Sequence, residues 1–152
     1  MSTFRTALNN LAALTVASVQ HNYDIDEAPD ALTRAQLPAL LVLPVNIPDV
    51  RMFKERGDGF QAVAFANGAR TITYAVTHLL LVAPATSGSS SRRHLPTLVS
   101  LIDSYFAALK ADLTLGGALL EPAEVGVEVG IFAHGDTKYY GCALRHTWKM
   151  EV

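Results

Sequence analysis

The chain has 152 residues, half of them hydrophobic, and 12 basic against 14 acidic side chains give a net charge of −2. That length suits one domain with a substantial core, the charge supplies no basic face for nucleic acid, and the single Cys142 excludes an internal disulfide or a cysteine-based metal cluster. No run reaches the ~18 apolar residues that span a membrane, and residues 11–19, preceded by Asn9 and Asn10 and diluted by Thr15 and Ser18, make a poor secretory leader. Charged residues are only 17%, against a usual ~25%. So few charges imply a surface partly covered by other copies of the chain or by a partner.

In chain order, residues 3–22 read as one amphipathic helix. Phe4, Leu8, Leu11, Thr15 and Val19 share a stripe, and Ser2 or Thr3 serves as N-cap. The acidic piece 24–30 reads as a solvated loop, and 31–36 adds a helical turn. Residues 37–44 form an apolar run bracketed by Pro38 and Pro44, too short for a helix and therefore a buried strand. Residues 45–59 are a polar loop, long by the standard of compact domains. Two strands follow, 60–65 and 70–83, joined around Asn67-Gly68, the dipeptide that best accepts the positive φ of a tight hairpin. Toward its end the second strand is apolar on both faces, which predicts a central position covered on both sides.

Residues 85–91 are a serine-rich, low-complexity loop running into Arg92 and Arg93. A second helix then carries Leu95, Leu98, Val99, Ile102, Tyr105, Phe106, Leu109 and Leu113 on one stripe. Pro96 sets its start near 92–95, and Gly116-Gly117 ends it. A valine-rich run, a turn at His134-Gly135-Asp136 and a terminal strand close the chain. In that strand Tyr140, Cys142, Leu144, His146, Trp148, Met150 and Val152 alternate with Arg145, Thr147, Lys149 and Glu151, the period of a strand with one buried face. The expected fold is α+β: two helices packed on a largely antiparallel, mixed sheet of four to five strands, in a single domain over 1–152.

Chemistry is sparse. His78 and His146 both lie on apolar strand faces and meet if their strands pair, but none of the five histidines has metal-ligand spacing, and hydrogen-bonded core residues are the simpler reading. The Ser87–Ser91 cluster lacks the rigid elbow that a nucleophile needs. Cys142 reads as a small buried apolar residue. Asp24, Asp26, Glu27 and Asp30 lack the pattern of a calcium loop. No catalytic, cofactor or metal residue is assigned. Two segments read as contact surfaces: loop 45–59, where Arg51, Phe53, Lys54 and Arg56 mix an apolar anchor with charge, and loop 85–93, where Arg92 and Arg93 suit an acidic partner.

Leu37-Pro38-Ala39 leading into an apolar strand after an N-terminal helix, the helix over 98–109, Leu115-Gly116-Gly117 after it, and Tyr139-Tyr140-Gly141 opening a terminal strand go together. From about residue 4 to the end, this arrangement resembles the tail terminator (tail completion) proteins of long-tailed bacteriophages. The resemblance implies a structural virion protein, not an enzyme, that assembles in the host cytoplasm without a cofactor. It implies a homo-oligomeric ring, expected to be a hexamer, seated on the head-proximal end of the tail tube protein. Such a ring ends tube polymerisation and offers a surface to a head-side connector or stopper protein, with DNA passing through its lumen. The alternatives are another neck component (an adaptor or stopper ring) or, from a different class, a small-molecule binding domain or enzyme with His78 or His146 in a pocket.

Overall fold

A computed structural model describes residues 3–44, 59–66, 69–85 and 91–151. Its elements are α1 (Phe4–Ala12), β1 (His21–Tyr23), a 3-10 turn (Arg34–Gln36), β2 (Ala39–Leu43), β3 (Gly59–Ala66), β4 (Ala69–Pro84), α2 (Ser91–Lys110), β5 (Glu124–His134) and β6 (Thr137–Glu151). The strands form one six-stranded mixed sheet in the order β1-β2-β4-β6-β5, with β3 also on β4. Among the described strands only β1 and β2 run parallel; every other pair is antiparallel. The α+β class with two helices holds, and the sheet has one strand more than the four to five expected.

The extra strand comes from the segment read as the end of the first helix. α1 stops at Ala12 rather than continuing to residue 22. Thr15, Val16, Ser18 and Val19 are weak helix formers, three of them because a branched β-carbon loses rotamer freedom against the preceding turn. Thr3 is the N-cap, its Oγ1 accepting from the Thr6 amide at 3.1 Å. At the other end the Asn22 amide donates to the carbonyls of Leu11 and Leu14 at 3.0 and 3.2 Å. Carbonyls at a helix C-terminus lack intrahelical donors, so this side chain both closes α1 and ties it to β1.

β4 is the organising strand. Its first half pairs with β3, its second half with β2, and its whole length with β6 on the other side. Ala66 pairs with Ala69, the two-residue connection expected around Asn67-Gly68. Residues 76–82 are buried on both faces, as the sequence predicts. On one face α1 and α2 cover Val76, Leu80, Cys142, Leu144, Trp148 and Met150. On the other, the segment after β1 brings Leu32 and Leu37 onto Leu41, Leu79, Leu81 and Tyr139. Thus the acidic piece 24–30 opens a strap across the back of the sheet: Leu32 exchanges both backbone bonds with the Tyr139 hydroxyl, at 3.3 and 3.2 Å. Asp26, Glu27 and Asp30 themselves stay exposed.

Gly141 permits the tightest approach within the sheet, since a Cβ there would lie 2.0 Å from the Leu80 carbonyl oxygen. α2 starts at Ser91, ahead of the expected 92–95, so Pro96 sits in its second turn and costs one ladder bond near the open end. It ends at Lys110, six residues before Gly116. Asp112 and Thr114 intervene in a series of turns, where the Gly116 amide donates to the Asp112 carboxylate at 2.7 Å. The buried stripe of α2 is Leu98, Leu101, Tyr105 and Leu109. Leu95, Val99, Phe106 and Leu113, expected on that stripe, are exposed instead.

Candidate functional site

Trp148 is fully buried, as its place beside Leu144 and Met150 on the terminal strand predicts. Its indole Nε1 donates to His146 Nδ1 at 3.3 Å. Across the ladder β4 sets Val76 opposite His146 and His78 opposite Leu144, which brings the two imidazole rings 6.3 Å apart. Tyr105 of α2 reaches down between them. Its hydroxyl lies 2.5 Å from His146 Nε2 and 2.8 Å from His78 Nδ1. His78 Nε2 lies 2.8 Å from Asn22 Oδ1, and Asn22 holds the end of α1.

The proton positions follow from the two ends of this chain. An indole nitrogen can only donate, so His146 carries its proton on Nε2 and gives it to Tyr105. Tyr105 then donates to His78 Nδ1, and His78 donates from Nε2 to Asn22. Asn22 must present its oxygen there, because two carbonyls claim its amide hydrogens. Every donor is used once, in one direction, and both imidazoles are neutral. Burial agrees: it lowers His146 to about 4 and His78 well below its usual value, with His146 adding to the effect on His78. It also raises Tyr105 well above 10.

This chain pins both helices to the middle of the sheet. It does not present a reactive group, because each of the four ring nitrogens has a protein partner and His78, His146 and Tyr105 are wholly buried. A general acid or base must reach its substrate, and these cannot. Sequence reasoning brought His78 and His146 together but missed Tyr105 as their bridge and Asn22 as their anchor. The signal was present for Tyr105, since a hydroxyl on an otherwise apolar helical stripe needs a buried partner. Among the described residues no three His, Cys, Asp or Glu side chains gather around a common point. Cys142 is buried on β6, and desolvation pushes its thiol up to about 11.

The surface offers a different kind of site. An apolar groove of about 480 Å³ runs between the first turns of α2 and the β5–β6 ribbon, lined by Leu95, Leu98, Val129, Ile131 and Tyr140. A second groove of about 310 Å³ is more polar and takes Arg34, Arg93 and His94. Arg92 and Arg93, read as the end of a loop, lie in the first turn of α2, exposed at the rims of these grooves. Arg51, Phe53, Lys54 and Arg56 lie outside the described residues. β3 is apolar and exposed on both faces: Ala62, Val63, Ala64 and Phe65 are all exposed, Phe65 to 75%. Compared with family models and with curated protein sequences, the chain matches none.

Proposed function

We propose that the chain is a structural assembly protein, a tail terminator that closes into a ring on the head-proximal end of a phage tail tube. The observation that carries this reading is β3. A strand free of charge from Gly59 to Ala66, exposed on both faces at 62–65, is poorly suited to water and well suited to a neighbouring protein. The commitment of His78 and His146 on both ring nitrogens argues in the same direction, since it closes these two to acid–base work. No helix there is long and apolar enough to cross a membrane.

In this reading six copies form the ring through unlike surfaces, which closes without leaving a free end. One side of the ring binds the tail tube protein and the other the head-side connector or stopper. The decisive experiment removes the protein from the virus. Without it, heads lacking tails should accumulate beside tubes of irregular and excessive length. Normal tails joined to heads would end the proposal, and unjoined tails of correct length would point to an adaptor or stopper ring instead. Charge reversal at Arg51, Lys54 and Arg56 should leave melting unchanged and weaken capping, because like charges across an interface cost several kcal/mol. If capping survives, the same test moves to Arg92 and Arg93.

A further inference from the structure

Among the described strands, the outer edge of β5 is the longest unpaired one. β5 ends the strand order and, within the described residues, pairs with β6 alone, in unbroken register from Glu124 to His134. Natural edge strands are guarded by lysine, proline, bulges or shortness. β5 has eleven residues, no lysine, no arginine, no proline and no bulge. Its residues opposite Leu144, Cys142 and Tyr140, namely Val127, Val129 and Ile131, belong to the helix-covered face of the sheet, where a groove opens between the first turns of α2 and Val129 and Ile131. The three are 44%, 53% and 55% exposed.

We infer that the free chain pairs with a second copy of itself through β5, antiparallel and two-fold, to make one continuous sheet. The occupant is argued from the strand's own charge pattern. In the full-length antiparallel register Val129 lies opposite the partner's Val129, and Val127 opposite the partner's Ile131. Glu124 then faces the partner's His134, and Glu128 faces the partner's Gly130, so no carboxylate meets another. Slipping the pair by two residues toward the N-terminus sets Glu128 against the partner's Glu128, a destabilising arrangement. Slipping by one residue turns every apolar side chain to the wrong face. The favoured register joins the two valine-isoleucine shelves into one apolar floor, with the exposed Leu95 of each α2 standing along it. This pair does not rest on the ring reading: a ring needs two different surfaces, and the pair uses one surface twice.

The test is cross-linking at the two-fold axis. Directly opposed residues in an antiparallel pair sit about 5 Å apart, within reach of a disulfide. Val129→Cys should therefore link to its own copy under mild oxidation. Ile131→Cys should not, because the partner's residue 131 lies four positions, about 13 Å, along the strand; mixed with Val127→Cys it should link. All these cysteine variants are made in a Cys142→Ala background, because the native thiol on β6 lies directly across from position 129 and would compete as an intrachain partner. Light scattering should give twice 16.3 kDa for the unmodified chain, and Val129→Lys, at a half-exposed position, should return it to one copy with unchanged circular dichroism. A monomer in which Val129→Cys stays reduced overturns the pair. So does any larger assembly, six-fold included, in which position 129 links no faster than position 131. Tube capping is read separately, so loss of the pair and loss of the ring are told apart.

Discussion

The middle strands and the outer strands of this sheet are built from similar residues and meet opposite fates. Over residues 76–82 β4 is shut in on both faces, and β6 from Tyr139 to Leu144 likewise. β3 and β5 carry alanine, valine, isoleucine and phenylalanine of the same kind, yet leave most of them open to solvent. The polar groups divide the other way. The buried middle holds two histidines, a tyrosine, an asparagine and a tryptophan in one satisfied chain, whereas Val63 and Phe65 of β3 and Val127, Val129 and Ile131 of β5 stay exposed in a single copy. What a strand buries is thus decided by its neighbours more than by its composition, and the open strands mark where neighbours belong.

The contrast predicts large effects inside and small ones outside. Trp148→Ala removes the largest buried side chain and should cost ~3–5 kcal/mol of unfolding free energy by chemical denaturation. A loss below ~1 kcal/mol would place the strength of the fold elsewhere. Acid comes next. Both histidines bind protons more weakly folded than unfolded, so their contribution is complete above about pH 6.5 and is lost as pH falls. His146 alone, at about 4 when folded, should remove roughly 3 kcal/mol between those values. Stability that stays flat from pH 7 to 4 would contradict the neutral pair. Tyr105→Phe keeps the packing but strands one nitrogen on each histidine, and should cost about 2–4 kcal/mol, seen as a lower midpoint with an unchanged slope. At the small end, Phe65→Ser on β3 should change stability by no more than ~0.5 kcal/mol while reducing association. If it instead unfolds the isolated chain, β3 belongs to the interior after all.

The terminal strand was legible from residue 145 on, where buried His146, Trp148 and Met150 alternate with more exposed neighbours. Over 139–144 both faces are buried, because Leu32 and Leu37 cover Tyr139 and Ala143, which the expected single buried face did not foresee. The β3–β4 hairpin was legible from Asn67-Gly68, and the central place of β4 from its two apolar faces. α1 was misjudged in length because Thr15 and Val19 fit a helical stripe whose weak helix formers were discounted, and because the Asn22 amide that caps its last carbonyls is not on that stripe. On α2 the apolar stripe is wider than the face it buries. Periodicity put Val99 and Phe106 on the stripe and left out Leu101, whereas Leu101 is covered and the other two are exposed. Meeting of His78 and His146 was foreseeable from two strand faces. Their joining through Tyr105 depends on how α2 crosses the sheet, which spacing along the chain does not encode.

The burial of Cys142 makes it a clock for the whole molecule. Thiol reagents attack the thiolate, and this sulfur is both shielded from solvent and held protonated at neutral pH. It sits on β6 at the centre of the sheet, paired with Leu80 on one side and Val129 on the other. An alkylating reagent can reach it only when those strands part. The rate at which the single sulfhydryl is modified therefore counts openings of the central sheet, and a copy locked into a larger assembly should record fewer of them.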